Sequence, residues 1–320
     1  MSLLGVAGET VFTTADTRCR RDGDALIVTL EQARPTITAD VLGALERALG
    51  EAERGFATLV VTSSSENFAF GATLTDEFEA ALNGRPEVLD AALVNYQRVM
   101  LRLRHASVPT VAAVRGTAIS GGCELLMHCT AVAAHADSRI GLMEPLVGIV
   151  PGGGGLKEFA LRASRAPDPE QVIVKAFEAL TAFTRATPRE AQRHRYLTAG
   201  DKVDVADPLA TAIELGRHLH AKGHTPPAAG PVFRCVGAAT LAKLRAAQTA
   251  LRDRGQLTAH QFEINMRMAL ILCGGDTVEP VCTEAQLFAM EREHLIALLP
   301  TPFTQARLAS LRSTGKSIMN

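Results

Sequence analysis

The sequence predicts an α/β protein in which a half of alternating strands and helices is followed by a helical half. Three observations carry this expectation. Short β-branched runs alternate with segments of helical periodicity as far as Arg162. The segment RASRAPDPE, residues 162–170, then breaks the pattern with two prolines and several charges. From Gln171 onward the strand signal disappears and only helices are expected.

In chain order, Ala25–Leu30 (ALIVTL) is the first run that reads as a strand. Val41, Leu42, Leu45 and Leu49 then recur at helical spacing up to Ala52, with Thr38 and Asp40 as candidate N-caps. Thr58–Thr62 and Thr110–Val114 predict two further strands, and Ala131–Ala134 a fourth. Strands separated by helices imply βαβ units, which gather ligands at the carboxyl ends of their strands. In the second half, Thr258 with Gln261 predicts a capping box for a helix that stops at Gly274-Gly275, and Thr283 with Gln286 predicts another. Residues 223–231 (GHTPPAAGP) read as a linker.

The 320 residues are 47% hydrophobic and 21% charged, which suits a globular chain with a sizeable core. A formal net charge of −1, from 33 basic and 34 acidic residues, gives no bulk field for a nucleic acid or an anionic membrane. A polyanionic ligand would have to be held by local arginines, lysines and backbone amides. No apolar run is long enough to span a bilayer, and Met1–Gly5 lacks the pattern of a secretory leader. The six cysteines show no C-x-x-C pair, so reduced thiols and a cytoplasmic setting are expected. No Cys/His cluster has ligand spacing, so no metal site is expected.

Three segments carry candidate chemistry. ENFAFGATL, residues 66–74, follows the second predicted strand, and AVRGTAISGGCELLMHC, residues 113–129, contains the end of the third. IGLMEPLVGIVPGGGG occupies residues 140–155. In the middle segment a strand and a glycine turn lead into a helix with Glu124 in its first turn. Gly121 and Gly122 let a ligand approach the backbone, and amides at a helix start carry the positive end of its dipole. Such amides can stabilise an oxyanion, and the turn at Gly71-Ala72 offers a second donor. Glu144 precedes Pro145 on a loop, where packing does not call for a carboxylate. Two carboxylates with an oxyanion hole suit proton transfer beside a carbonyl.

Each feature also has a plainer reading. Glycines at strand-to-helix turns often serve the turn alone, and a first-turn glutamate often answers only the helix dipole. Gly152–Gly155 has the look of a phosphate loop, but the Gly-Lys-Ser/Thr ending is missing because Lys157 follows Leu156. Gly315-Lys316-Ser317 lacks a preceding strand, and no Gly-x-Gly-x-x-Gly supports a nicotinamide fold. His128, one turn after Glu124, reads as a helix-surface or core histidine.

Taken together the three segments resemble the signature of the crotonase (enoyl-CoA hydratase/isomerase) family over roughly Asp24 to Leu197. Residues 269–299 and 312–320 are similar to the tail of large bacterial 3-hydroxyacyl-CoA dehydrogenases that carry a crotonase domain at their C-terminal end. The resemblance implies a crotonase-like spiral of ββα units in residues 1–200, followed by an all-helical region in residues 201–320. It makes Ala72 and Gly121 the two backbone donors to a thioester oxygen. It puts Phe70, Gly71 and Gly122 against the substrate and makes Glu124 and Glu144 the catalytic pair. Glu124 would activate water and Glu144 would deliver a proton to C2 of a trans-2-enoyl-CoA. No cofactor is implied, since coenzyme A is part of the substrate. A second copy of the chain or a dehydrogenase is the partner such a protein would take. The rival readings are double-bond isomerisation on the same scaffold and a non-catalytic module that docks a dehydrogenase. The chain departs from the family pattern at three places: Thr73 replaces an aspartate, Glu31–Pro35 replaces an asparagine-proline, and Arg195 replaces a glycine.

Overall fold

The computed structural model describes residues 8–228 and 230–320, so Met1–Gly5 lies outside the described residues. The first elements are β1 (Glu9–Thr13), β2 (Thr17–Asp22), β3 (Ala25–Leu30), α1 (Ala39–Gly55), β4 (Thr58–Ser63), α2 (Thr75–Leu82) and α3 (Pro86–Arg104). There follow β5 (Thr110–Val114), β6 (Thr117–Ile119), α4 (Gly121–His128), β7 (Ala131–His135), β8 (Arg139–Gly141) and a 3-10 turn, Glu144–Val147. Next come α5 (Gly155–Ser164), α6 (Pro169–Thr181), α7 (Pro188–Arg193), β9 (Lys202–Val205) and α8 (Pro208–Ala221). The last are β10 (Val232–Arg234), α9 (Gly237–Asp253), α10 (Ala259–Cys273), β11 (Val281–Thr283), α11 (Glu284–Leu298) and α12 (Pro302–Thr314). No described helix is long and apolar enough to cross a membrane.

The chain forms two compact units that alternate along the sequence. The first takes the chain as far as Thr73, then Arg98–Ile140, then the stretch from Arg185 through α8. Its centre is a seven-stranded sheet in the order β1-β2-β3-β4-β5-β7-β9. The β1–β2 and β2–β3 pairs are antiparallel, and the pairs from β3 to β9 are parallel. All six residues of β3 and all five of β5 are buried, as expected for strands covered on both faces. On one face Ile27, Val60, Val111, Ala113 and Ala133 pack with Ala212 and Ile213 of α8. Helix α1 packs on β2 and β3 and buries Val41, Leu42, Leu45 and Leu49, roughly 1.5–3 kcal/mol for each large side chain. Of the two candidate caps it is Thr38 whose side chain accepts from Val41 N–H, at 3.2 Å. Asp40 instead accepts from Thr14 Oγ1 at 2.5 Å and from Asp16 N–H at 3.0 Å, which ties α1 to the β1–β2 turn.

The second unit comprises Leu74–Gln97, Gly141–Thr184 and Gly230–Asn320. Helix α10 packs on α5, α6, α9 and α11. The capping box predicted at Thr283 and Gln286 is present in full. At Thr258 only half of it forms, because Gln261 directs its amide to Asn265 and its Oε1 accepts from Arg307. Helix α10 ends at Gly274 in the left-handed region, as its sequence predicts.

The expectation of helices alone beyond Gln171 needs correction. Strand β9 joins the main sheet beside β7, and β10 pairs with β11 in a two-stranded ladder. These runs are three or four residues long and each borrows stability from a neighbour, so no periodicity announces them. Arg195, where the resemblance leads one to expect a glycine, has φ +66°, a left-handed conformation that glycine adopts without strain.

Candidate active site

Six of the seven residues singled out in the sequence lie in the first unit, where two backbone segments are locked together. Phe68 and Ala69 both donate N–H to Thr117 O, at 2.9 and 3.0 Å, and Ile119 N–H returns to Ala69 O at 3.0 Å. This short ladder lays the Phe70-Gly71-Ala72 segment beside the turn that enters α4. A Cβ built at Gly71 would sit 3.5 Å from Ser120 Cβ. One built at Gly122 would meet Ala69 O at 2.5 Å, so only glycine fits there.

The donors follow from the pairing. Ile37 N–H bonds Gly71 O at 2.7 Å and Thr73 N–H bonds Ile37 O at 3.0 Å. Along an extended segment successive N–H groups alternate in direction, so the Ala72 N–H points away from Ile37. Gly121 is the first residue of α4, and the N–H of such a residue points out of the helix at its positive end. Just before it, Ser120 has φ +52° and ψ −125° and makes no side-chain cap. A non-glycine residue in that region stores strain on the order of 1–3 kcal/mol. The sequence reading overlooked Ser120, and its place before two glycines was the only signal available.

Glu124, one turn into α4, is buried at 3% exposure. His128 is fully buried, and its Nδ1 donates to the main-chain oxygen of Glu124 at 2.7 Å, so it is a core histidine. Arg34 stacks on the Phe70 ring with its guanidinium carbon 4.9 Å from the centroid, which brings a cation beside the first segment. Amides so directed can receive a negative oxygen, and a buried carboxylate one turn away can take or give a proton.

Glu144 belongs to the second unit and begins the 3-10 turn, buried at 8% exposure. Gly148 closes that turn with φ +96°, and a Cβ there would strike Thr304. Thr304 Oγ1 donates to Gly148 O at 2.7 Å, Arg307 Nη1 donates to Pro145 O at 2.9 Å, and Ser317 donates to Leu146 O. The turn that carries Glu144 is thus held by α12 and the residues after it, a role the sequence reading did not assign.

The glycine run at residues 152–155 cradles an anion, and that anion is the protein's own. Glu291 accepts from Gly154 N–H at 2.6 Å and from Lys157 N–H at 2.8 Å, capping the start of α5. The Lys157 ammonium is buried against Glu158 at 2.5 Å and Glu284 at 3.1 Å. Among the described residues no group of histidines, cysteines and acids is placed to hold a metal ion.

Over 304 residues the chain is 27% identical to a "Probable 3-hydroxyacyl-CoA dehydrogenase" of Bacillus subtilis (strain 168), with 93% of this chain and 38% of that protein covered. It is 32% identical over 174 residues to a "Fatty acid oxidation complex subunit alpha" of Psychrobacter cryohalolentis, with 54% of this chain and 22% of that protein covered. The chain therefore spans well under half the length of these relatives. An enoyl-CoA hydratase from Rhodobacter sphaeroides 2.4.1 superposes with a TM-score of 0.65 at 17% identity, over 96% of this chain and 92% of that one. An enoyl-CoA hydratase from Bacillus halodurans does so with a TM-score of 0.62 at 18% identity, over 93% and 100%. At such identities the likeness is one of fold. The model of the enoyl-CoA hydratase/isomerase family matches residues 25–192, just over half of the chain, and to that family the chain belongs.

Proposed function

We propose that the chain is an enoyl-CoA hydratase, which adds water to trans-2-enoyl-CoA thioesters and yields 3-hydroxyacyl-CoA in fatty-acid β-oxidation. The observation that carries this reading is the locked pair of segments in the first unit. It directs the Ala72 amide away from Ile37, begins α4 at Gly121 behind the strained Ser120, and buries Glu124 one turn later. The thioester oxygen accepts from the Ala72 and Gly121 amides, which draws electrons toward the carbonyl and leaves C3 open to attack. Glu124 takes a proton from water as it attacks C3, and Glu144 gives a proton to C2. Phe70, Gly71 and Gly122 line the acyl portion.

The resemblance of residues 269–320 to the dehydrogenase tail, together with the name of the Bacillus relative, supports a place beside a 3-hydroxyacyl-CoA dehydrogenase. Such an enzyme consumes the product proposed here, whether in the same polypeptide or as a partner, and a cytoplasmic setting belongs to the same proposal. The test is product analysis with 2-enoyl and 3-enoyl thioesters. Conversion of crotonyl-CoA to 3-hydroxybutyryl-CoA is the expected result. Migration of the double bond in a 3-enoyl thioester, with no hydration of crotonyl-CoA, would select isomerisation instead.

A further inference from the structure

Three cysteines of the second unit meet where the β10–β11 ladder leaves for α9 and returns from α10. In that ladder Phe233 is the partner of Cys282 and Arg234 of Val281, and Cys235 N–H donates to Pro280 O at 2.9 Å. Residues two apart along a strand share a face, so Cys235 and Cys282 are diagonal neighbours on one side of the ladder. Both pack with Phe233 against Ala160 and Leu161 of α5. Cys273 ends α10, and Gly274 follows it with φ +74°. A Cβ built on Gly274 would meet Cys235 Sγ at 2.6 Å and Cys282 Sγ at 2.8 Å, so the two sulfurs crowd one point.

The two thiols also share hydrogen bonding. Cys282 donates its S–H to Gly274 O at 3.4 Å, which leaves the Cys235 S–H to bond the Cys282 sulfur. Burial, then that hydrogen bond, pushes the Cys235 pKa up, and burial pushes Cys273 up to about 12. Such thiols are protonated near neutral pH and are slow nucleophiles. Whether a dithiol is oxidised at equilibrium is a separate matter, set by its reduction potential. Here the fold keeps two sulfurs side by side before any bond exists. Exposure ranks the three: Cys235 is half-buried, Cys282 is 5% exposed and Cys273 is fully buried.

We propose that Cys235 and Cys282 are a modification site, a dithiol that a low-molecular-weight disulfide oxidises to an internal disulfide. The Cys235 thiolate attacks one sulfur of the oxidant, forms a mixed disulfide and releases one small thiol. The Cys282 thiolate then attacks the Cys235 sulfur and releases the second. Two protein thiols lose two protons and two electrons, and one small disulfide becomes two small thiols. Closing the bond draws diagonal neighbours together by about 1 Å, a movement that falls at the end of three-residue strands. The bond encloses α9 and α10, so it restricts the unfolded chain over that stretch and stabilises the second unit. In a reducing compartment the pair rests as thiols and answers a rise in disulfide oxidant.

The test incubates the reduced chain with oxidised glutathione, blocks the remaining thiols with N-ethylmaleimide and maps the peptides by mass spectrometry without reduction. A Cys235–Cys282 disulfide is the expected product, and dithiothreitol should reverse it. Cys235→Ser should form no internal disulfide, while Cys273→Ala should form the same one as the parent. Circular dichroism confirms that each variant is folded before oxidation, with Cys235→Ala as the substitute for a Cys235→Ser that is not. The oxidised parent should melt about 5 °C above its reduced form, and Cys235→Ser should show no such gain. None of these readings depends on turnover of crotonyl-CoA, so the test stands apart from the hydratase proposal. Four results would each overturn the inference: Cys235 left as a thiol or as a stable glutathione adduct, closure onto Cys273, a cross-link that forms only in urea, or a lower melting temperature on oxidation.

Discussion

Nη1 of Arg307 donates to the carbonyl oxygen of Pro145 across 2.9 Å, and no part of the arginine is exposed. The same guanidinium reaches Gln261 Oε1 at 2.7 Å and Asn320 Oδ1 at 2.9 Å. Burial pushes its pKa down from the ordinary arginine value, yet the group remains a cation. Arg307→Met keeps the volume and strands the acceptors that the guanidinium serves. A loss of about 3 kcal/mol in urea unfolding is expected. Crotonyl-CoA turnover should fall with little change in KM, because the residue after Glu144 loses its anchor. A variant as stable and as active as the parent would show that α12 does not position this turn.

Two glycines make a paired prediction about local fit. At Gly122 a Cβ would lie 2.5 Å from Ala69 O, a backbone atom that cannot swing aside. Gly122→Ala should destabilise by about 2 kcal/mol or more and depress turnover, since relief of the clash must open the joint between the two segments. At Gly43, exposed within α1, nothing lies within 4 Å. Gly43→Ala should stabilise by about 0.5–1 kcal/mol through helix propensity alone. Equal responses of the two variants in a thermal melt would refute the packing described at Gly122.

Acid should weaken the fold through His260. Thr304 Oγ1 gives its only proton to Gly148 O, so the His260 Nε2 at 3.0 Å donates to Thr304. A second ring proton has to be held in a buried site. Burial, then the nearby Arg307 cation, lowers the His260 pKa from its ordinary 6.5; Glu263 opposes the shift and Arg267 adds to it. With the folded pKa depressed, the unfolded chain binds the extra proton first. The His260 contribution is therefore intact above the ordinary value and is lost as pH falls below about 6.5, at up to about 1.4 kcal/mol per pH unit. His294, lowered by burial and by Arg267, adds in the same sense. His260→Gln retains an N–H for Thr304 and should flatten the decline between about pH 7 and pH 5 in urea unfolding. An identical slope in the variant would remove His260 from the account.

The parts of the fold legible in the sequence are those whose signal is local. The strands at residues 25–30, 58–62, 110–114 and 131–134 are apolar because both faces are covered, and all four are present. Strand β2, TRCRRD, carries no legible signal because only Thr17 and Cys19 of its six residues are buried, and a half-exposed strand rich in arginine has little hydrophobic pattern. Strand β9, KVDV, gains its place from pairing with β7, which no local window contains. The candidate site divides in the same way. Glycine turns and acids mark Gly121, Gly122, Glu124 and Glu144 in the sequence. The strain at Ser120 and the hold of Arg307 on Pro145 arise only when distant segments meet.

The glutamates carry the functional proposal, and they can be tested without disturbing shape. Glu124→Gln and Glu144→Gln keep volume and hydrogen-bonding capacity but remove the proton each would exchange. A general acid or base contributes about 10²–10⁴ in rate, so each variant should lose that order in kcat on crotonyl-CoA. KM should change little, because the CoA portion supplies most of the binding and neither carboxylate is proposed to grip it. If both carboxylates serve one hydration, the double variant should lose less than the product of the two single losses. The melting temperature separates this from a structural role. Glu124 and Glu144 are buried at 3% and 8% exposure, and a buried carboxylate is costly, so a neutral amide should keep or raise the melting temperature. A Glu124 that served only its helix dipole would give the opposite pair of results, a lower melting temperature with turnover preserved. Full hydration of crotonyl-CoA by Glu144→Gln would refute the proposed mechanism, since no step would then depend on its proton.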